Sequence, residues 1–202
     1  MDPHIPPVAA IVPLKALGDA KTRLRGALGP AARRELAVRL AARVLEACRE
    51  AGPVERVLVV AGDEAVGEVA RRHGADVVVE PRPGLTAALE TADATVAAHA
   101  ASIVVAGDLP WVTSADVEAV CVAGVIGRRV VVAPTEDGGT GALLREPPGV
   151  IGTAYGSGSA AAHRRLAAQA GVPLTVIERP GLALDVDTPD DLRRADGTDA
   201  AL

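Results

Sequence analysis

The sequence predicts an α/β protein in three layers, a largely parallel sheet covered on both faces by helices. Three observations carry that expectation. Short Val- and Ile-rich runs recur along the chain, helix-patterned Ala/Leu/Arg/Glu segments separate most of them, and Trp111 and Tyr155 are the sole aromatic residues, with no Phe. Runs that are apolar throughout suit strands buried on both faces, and a core limited to Ala, Val, Leu and Ile suits helices packed closely on a sheet. With 202 residues and 49% hydrophobic content, the chain can bury one substantial core and is short for two. A single domain over residues 1–202 is expected, its core at about 8–195 and a frayed tail at 196–202.

The first strand is expected at residues 8–14, after which Lys15, Lys21, Arg23 and Arg25 follow before any long helix begins. Pro30, a favourable first-turn residue, opens a helix over 30–51. A strand at 57–61, a helix at 64–73, a strand at 77–79 and a helix at 85–98 continue the alternation. The strand at 103–106 empties into Gly107-Asp108-Leu109-Pro110. Ser114 reads as the N-cap of a helix over 114–123, and a further strand is expected at 130–133. Residues 136–158 are rich in Gly and Pro, with only a short strand-like stretch at 142–145, and so predict a long binding loop. Ser159 reads as the cap of a helix over 159–170, offering its hydroxyl and amides to an anion. Thr188 precedes Pro189, Asp190 and Asp191 as the cap of a last helix over 189–195.

A net charge of −5 argues against general affinity for nucleic acid or an anionic membrane, since both require a positive footprint. Cys48 and Cys121 lack any close-spaced motif and read as buried thiols in a reducing compartment. No apolar run approaches a membrane span, and the first residues lack the order of a secretory signal, so a cytoplasmic protein is expected. Neither a Gly-x-x-x-x-Gly-Lys-Ser/Thr loop nor a Gly-x-Gly-x-x-Gly turn is present, which leaves P-loop and dinucleotide folds unsupported. No Gly-x-Ser-x-Gly elbow follows a strand either.

The candidate chemistry lies at strand ends. In open α/β sheets ligands sit outside the carboxyl ends of strands, where Lys15 falls. Lys presents a point charge and Arg a planar fork, so Lys15, Lys21 and Arg23 are suited to share the oxygens of a triphosphate, or else are solvated loop residues. Asp108 at the end of a buried strand needs water, a cation or donors; it either serves a ligand or shapes the turn through backbone N–H groups. In Asp185-Val186-Asp187, residues two apart in an extended segment share a face and aim both carboxylates at one spot. Two oxygen donors beside an anionic ligand describe a hard-cation site for Mg²⁺. For Asp187 the alternative is a role at the start of the last helix. His163 reads as a supporting or surface helix residue, and Trp111 and Tyr155 as cover for apolar surface or the cleft mouth.

The motifs Pro13-Leu14-Lys15, Ala20-Lys21-Thr22-Arg23-Leu24, Gly107-Asp108-Leu109-Pro110, Gly139-Thr140, Tyr155-Gly156-Ser157-Gly158-Ser159 with His163, and Asp185-Val186-Asp187-Thr188-Pro189-Asp190-Asp191-Leu192 occur in this order. In that order they resemble the phospholactate/phosphoenolpyruvate guanylyltransferases of deazaflavin coenzyme biosynthesis, a group similar to the molybdenum cofactor guanylyltransferases. The resemblance spans about residues 8–195. It implies a nucleotidyltransferase fold and transfer of GMP from GTP to a phosphorylated three-carbon acid, phosphoenolpyruvate before 2-phospho-L-lactate. It further implies Mg²⁺ on Asp108, Asp185 and Asp187, and the triphosphate on Lys15, Lys21 and Arg23. By the same likeness Pro83, Gly84, Leu85 and Thr86 form the nucleotide-side loop, and Thr140, Gly156 and Ser159 the acceptor site. Thr86 stands where Asn is expected, and Gly141 where a bulkier residue is usual, which implies a looser acceptor pocket. A homodimer is expected, as is passage of the product to a downstream deazaflavin-modifying transferase. The rivals are a same-fold enzyme with 3-phosphoglycerate, molybdopterin or a sugar phosphate as acceptor, and a catalytically silent nucleotide-binding protein. With one Gln and no Asn, the chain suits a small anion better than a pterin or a sugar.

Overall fold

The computed structural model describes residues 5–79 and 85–197. Within them, strands β1 (Val8–Leu14), β2 (Val54–Ala61), β3 (Asp76–Val79), β4 (Ala101–Val105), β5 (Arg129–Pro134), β6 (Thr140–Glu146) and β7 (Leu174–Val176) form one sheet in the order β3-β2-β1-β4-β6-β5-β7. Helices α1 (Pro30–Glu50), α2 (Glu64–Arg72), α3 (Leu85–Val96), α4 (Ser114–Val122), α5 (Ser159–Gln169), α6 (Pro180–Ala183) and α7 (Pro189–Gly197) connect the strands, with a 3-10 turn at Thr22–Leu24.

The three layers follow from alternation along the strands. In β1, Val8, Ala10, Val12 and Leu14 join an apolar cluster with Val44, Leu45 and Cys48 of α1 and Val117 and Val120 of α4. Ala9 and Ile11 join a second cluster on the other face, with Ala88, Leu89 and Ala92 of α3 and Ala160 and Ala167 of α5. A strand covered on both sides must be apolar at every position, and β1 is. Cys48 and Cys121 are free and buried, and burial pushes both thiols up to about 12, so neither is a nucleophile at neutral pH. A third, smaller cluster of Leu24, Leu36, Leu40, Val186 and Ala195 fastens the chain after β1 and the segment before α7 onto α1. No helix among the described residues is long and apolar enough to cross a membrane.

Several local features depart from expectation. The sheet is parallel at β1/β2, β1/β4, β2/β3 and β5/β7, whereas β6 runs antiparallel to both β4 and β5. Residues 135–139 are too few for a parallel crossover, which takes roughly a dozen residues or more. The chain instead turns back on itself, the Thr135 N–H donating to Gly139 O at 3.1 Å and the Gly138 N–H to Thr135 O at 3.0 Å. The region 136–158, expected as a long loop, therefore contains a strand buried along its whole length. Strand β7 and the single-turn helix α6 were not foreseen; β7 is a three-residue edge strand and offers little periodicity to read.

Two helix starts need revision. Thr113, not Ser114, caps α4, because Asp116 stands three residues later and returns the bond to the Thr113 backbone. Gly158 at φ 68°, not Ser159, caps α5, a left-handed position that suits glycine. Thr188 caps α7 as expected, in a reciprocal pair with Asp191. Helix α7 reaches Gly197, so Asp196 and Gly197 are helical and not part of a frayed tail, while 198–202 lie outside the described residues.

Candidate active site

The reversal of β6 places its first residue, Thr140, at the sheet edge where the parallel strands β1 and β4 end. Gly107 makes the exit from β4 possible, since a Cβ there would lie 2.4 Å from Leu14 Cδ2 and 3.0 Å from the Pro13 carbonyl oxygen. Asp108 follows, half-buried at the edge.

The chain beyond β1 is folded back by the Leu17 N–H, which donates to Asp63 at 3.2 Å, and by the Asp19 N–H, which donates to Ala16 O at 3.0 Å. It then passes through Lys21 at φ 52°, the one non-glycine residue with positive φ among those described. That conformation costs an L-residue about 1–2 kcal/mol. The side chain offsets the cost. Lys21 Nζ lies 2.6 Å from Asp108 Oδ2 and 3.4 Å from Asp187 Oδ1, with the side chain only 7% exposed. Arg23 meets the outer oxygen of Asp187 at 3.3 Å and is exposed, as are Lys15 and Arg25.

Asp185 and Asp187 are held by the residue between them. Val186 is buried in the Leu24/Leu36/Leu40 cluster, and its N–H donates to the Asp108 carbonyl at 3.2 Å. Alternation then turns both carboxylates to the other side, toward Asp108. Asp108, Asp185 and Asp187 each offer an oxygen within 4.8 Å of the others. Around an octahedral cation with oxygens at about 2.1 Å, neighbouring oxygens stand about 3.0 Å apart and opposite ones about 4.2 Å, so these three would have to draw together to share one ion. Among the described residues the Asp108 carboxylate receives Lys21 and no backbone N–H, and Asp187 meets Lys21 and Arg23 while Thr188 and Asp191 cap α7.

The electrostatics are those of carboxylates crowded together. Burial, and then repulsion from Asp108, Asp137 and Asp187, pushes Asp185 up to about 6. Asp137, which sequence reasoning missed, sits in the β5–β6 turn. Bonds from the Thr135 hydroxyl and the Gly139 N–H, assisted by Arg23, hold its carboxyl below the ordinary range. Its sequence context, Glu-Asp-Gly-Gly, carries only a turn signal.

Beside the carboxylates lies a buried polar group. Thr140 Oγ1 is 2.8 Å from Ser159 Oγ and 3.2 Å from His163 Nδ1, and the Ala154 N–H donates to His163 Nε2 at 3.0 Å. His163 is fully buried, not on the helix surface, with the Tyr155 ring edge-on at 5.3 Å. Its burial was legible in the four-residue spacing of Ser159, His163 and Ala167 on one helix face. The expectation that the start of α5 offers its amides to an anion changes in part: the Ser159 N–H donates to Gly156 O and the Ala160 N–H to Gly138 O. The amides of Gly156 and Gly158 have no acceptor among the described residues.

Gly141 does not loosen a pocket. A Cβ there would lie 2.1 Å from the Leu182 carbonyl oxygen, so the missing side chain admits α6 against β6. Trp111 covers the third apolar cluster, and Leu85 packs on the second from the first turn of α3, where Thr86 also stands. Pro83 and Gly84 lie outside the described residues.

A family described as "Guanylyl transferase CofC like" matches residues 8–195. A phosphoenolpyruvate guanylyltransferase of Rubrobacter xylanophilus is 40% identical over 194 residues, covering 95% of this chain and 94% of that protein. A 3-phospho-D-glycerate guanylyltransferase of Phenylobacterium zucineum is 36% identical over 189 residues, covering 90% and 86%. Among solved structures, a Desulfovibrio desulfuricans protein assigned as a nucleotide-diphospho-sugar transferase superposes with a TM-score of 0.76 at 17% identity, covering 96% of this chain and 89% of that one. Rv0371C of Mycobacterium tuberculosis, in complex with manganese, superposes with a TM-score of 0.61 at 20% identity, covering 95% and 99%.

Proposed function

Because the chain belongs to the CofC-like guanylyl transferase family, we propose that it transfers GMP from GTP to the phosphate of a small three-carbon acid, phosphoenolpyruvate first, releasing pyrophosphate. One observation carries the reading: three carboxylates and Lys21 meet at the same sheet edge as the buried Thr140–Ser159 hydroxyl pair. That pairs a site for a metal-bound polyphosphate with a site for a second anion. The higher identity to the relative named for phosphoenolpyruvate supports that acceptor over 3-phospho-D-glycerate.

Asp108, Asp185 and Asp187 would hold Mg²⁺, whose oxygen preference matches three carboxylates. When bound, the ion supplies cancellation of charge on the nucleotide phosphates. Lys15, Lys21 and Arg23 bind the triphosphate, the Pro83-Gly84-Leu85-Thr86 segment is assigned to the nucleotide by the family resemblance, and Thr140, Gly156 and Ser159 take the acceptor. An oxygen of the acceptor phosphate attacks the α-phosphorus while the bond to the pyrophosphate oxygen breaks. A phosphate monoester has its second pKa near 6, so this nucleophile is already an anion and no general base is needed. His163 could not serve as one, since its bare nitrogen is occupied by the Ala154 N–H. What remains for the protein is to bring two anions together in line, which fixed cations and backbone donors accomplish.

The test is pyrophosphate release by the purified protein with Mg²⁺ and GTP, offering phosphoenolpyruvate, 2-phospho-L-lactate and 3-phosphoglycerate in turn, with ATP and CTP as nucleotide controls. GTP-dependent release with phosphoenolpyruvate is expected. Release with none of the acids would overturn the reading.

A further inference from the structure

The hydrogen bonds around His163 have a direction. A backbone N–H can only donate, so the Ala154 N–H requires a lone pair on His163 Nε2, 3.0 Å away. A neutral imidazole with Nε2 bare carries its proton on Nδ1, which therefore donates to Thr140 Oγ1 at 3.2 Å. That bond takes one Thr140 lone pair, and in the Thr140–Ser159 contact at 2.8 Å either oxygen can donate. Whichever does, the buried pair keeps one hydroxyl hydrogen for which the described residues offer no acceptor, and Thr140 donating to Ser159 places that hydrogen on Ser159.

We propose that His163 is a positioning residue that fixes the Thr140–Ser159 hydroxyl chain so that Ser159 donates outward to the acceptor's anionic group. The inference rests on the reading above that Thr140 and Ser159 receive the acceptor. Two further observations support it. The first-turn amides of Ser159 and Ala160 are spent on Gly156 and Gly138, so a Ser159 hydroxyl donor would add to the amides of Gly156 and Gly158, which have no acceptor among the described residues. Burial, with Arg145 nearby, also pushes His163 down to about 4, so the ring is neutral throughout the physiological range. The edge of Tyr155 against the ring, at an interplanar angle of 71°, fixes its plane.

The polarity matters because an anion offers only lone pairs. Reversed, the chain would present a Ser159 lone pair to a phosphate or carboxylate and repel it. An Asn at 163 can place an amide N–H near the Nδ1 position and restore the donor to Thr140; a Leu there cannot.

The tautomer is read first, by long-range ¹⁵N–¹H correlation on the ¹⁵N-labelled protein, with His163→Leu identifying the signal. Protonated Nδ1 with bare Nε2 is expected, and the opposite tautomer would overturn the proposal. Steady-state kinetics with phosphoenolpyruvate and GTP follow. His163→Leu is expected to raise the acceptor KM about tenfold, the loss of one charge-assisted hydrogen bond, with the GTP KM little changed. His163→Asn is expected to recover most of it. Equal KM values for Leu and Asn variants, or a parallel rise for GTP, would reduce His163 to a packing residue and overturn the inference while the proposed reaction stands. A wild-type protein silent with every acid would overturn the reaction and the inference together.

Discussion

Replacing Asp185 by Asn should stabilise the metal-free protein while abolishing transfer. Asp185 is raised from 3.8 to about 6, first by burial and then by the charges of Asp108, Asp137 and Asp187. An acid with a raised pKa binds more protons folded than unfolded, so stability falls as pH rises from about 4 to about 6. Below that window both states are protonated and the penalty is absent; above it the penalty is complete. A shift of about two units at 1.36 kcal/mol each sets a ceiling of about 3 kcal/mol. Asp185 is only half-buried, and solvent screening brings this to about 1–2 kcal/mol. Asn keeps the size and removes the charge. The variant should therefore exceed the wild type by about 1–2 kcal/mol at pH 8, or roughly 3–6 °C in Tm, and match it near pH 4. Urea unfolding in chelator at pH 4, 6 and 8 measures this. Repeating the series with Mg²⁺ should raise the wild type and leave the variant unmoved. A variant less stable than wild type at pH 8 without metal, or a gain undiminished at pH 4, would refute the reasoning.

Removing Lys21 has the opposite electrostatic sense: Lys21→Met strips the cation from Asp108 and Asp187. It should tighten Mn²⁺ binding to the nucleotide-free protein roughly tenfold, measured by titration calorimetry, and slow transfer about a hundredfold or more; weaker Mn²⁺ binding would contradict this. Gly141→Ala pushes a Cβ to 2.1 Å from the Leu182 carbonyl, and should cost about 1–3 kcal/mol of stability. Because Leu182 leads into the Asp185 segment, Mn²⁺ affinity should fall as well; unchanged unfolding midpoints would rule out the close packing of α6 on β6. The buried Arg145 guanidinium pairs with Asp93 and touches Ser102 at 3.3 Å. Arg145→Met should cost about 3–5 kcal/mol by stranding the Asp93 carboxylate, and the added change Asp93→Leu should recover much of it, which a double-mutant cycle in urea reads directly.

What the sequence made legible was local. Asp185 and Asp187 were paired by the two-residue period of an extended segment, and Asp108 by its place after a strand. Their meeting depends on Val186 being drawn into the Leu24/Leu36/Leu40 cluster, a tertiary event that no window of sequence displays. The reversal of β6 was missed although its signal was present: residues 135–139 leave no room for a crossover. Asp137 gains its role from Arg23 and Asp185 across the fold, so its own neighbours in sequence announce only a turn. Thr113 and Gly158 were passed over as caps in favour of the adjacent serines. In each case the deciding feature, a reciprocal Asp116 or a left-handed φ, involves backbone geometry rather than residue preference.

The antiparallel course of β6 has an evolutionary consequence. The interval from Asp108 to Thr140 is measured out by hydrogen-bond register, Val105 opposite Ala142, and not by the span of a loop. One residue added within the strand would displace Thr140 by about 3.4 Å and turn it to the opposite face. Changes of length between Val105 and Asp108 or between Thr140 and Ala142 thus displace the site, whereas exchanges of side chain at constant register are tolerated. Diversity of acceptor on this frame should accordingly arise by substitution at an unchanging interval, with insertions and deletions confined to connections that the two anions never meet.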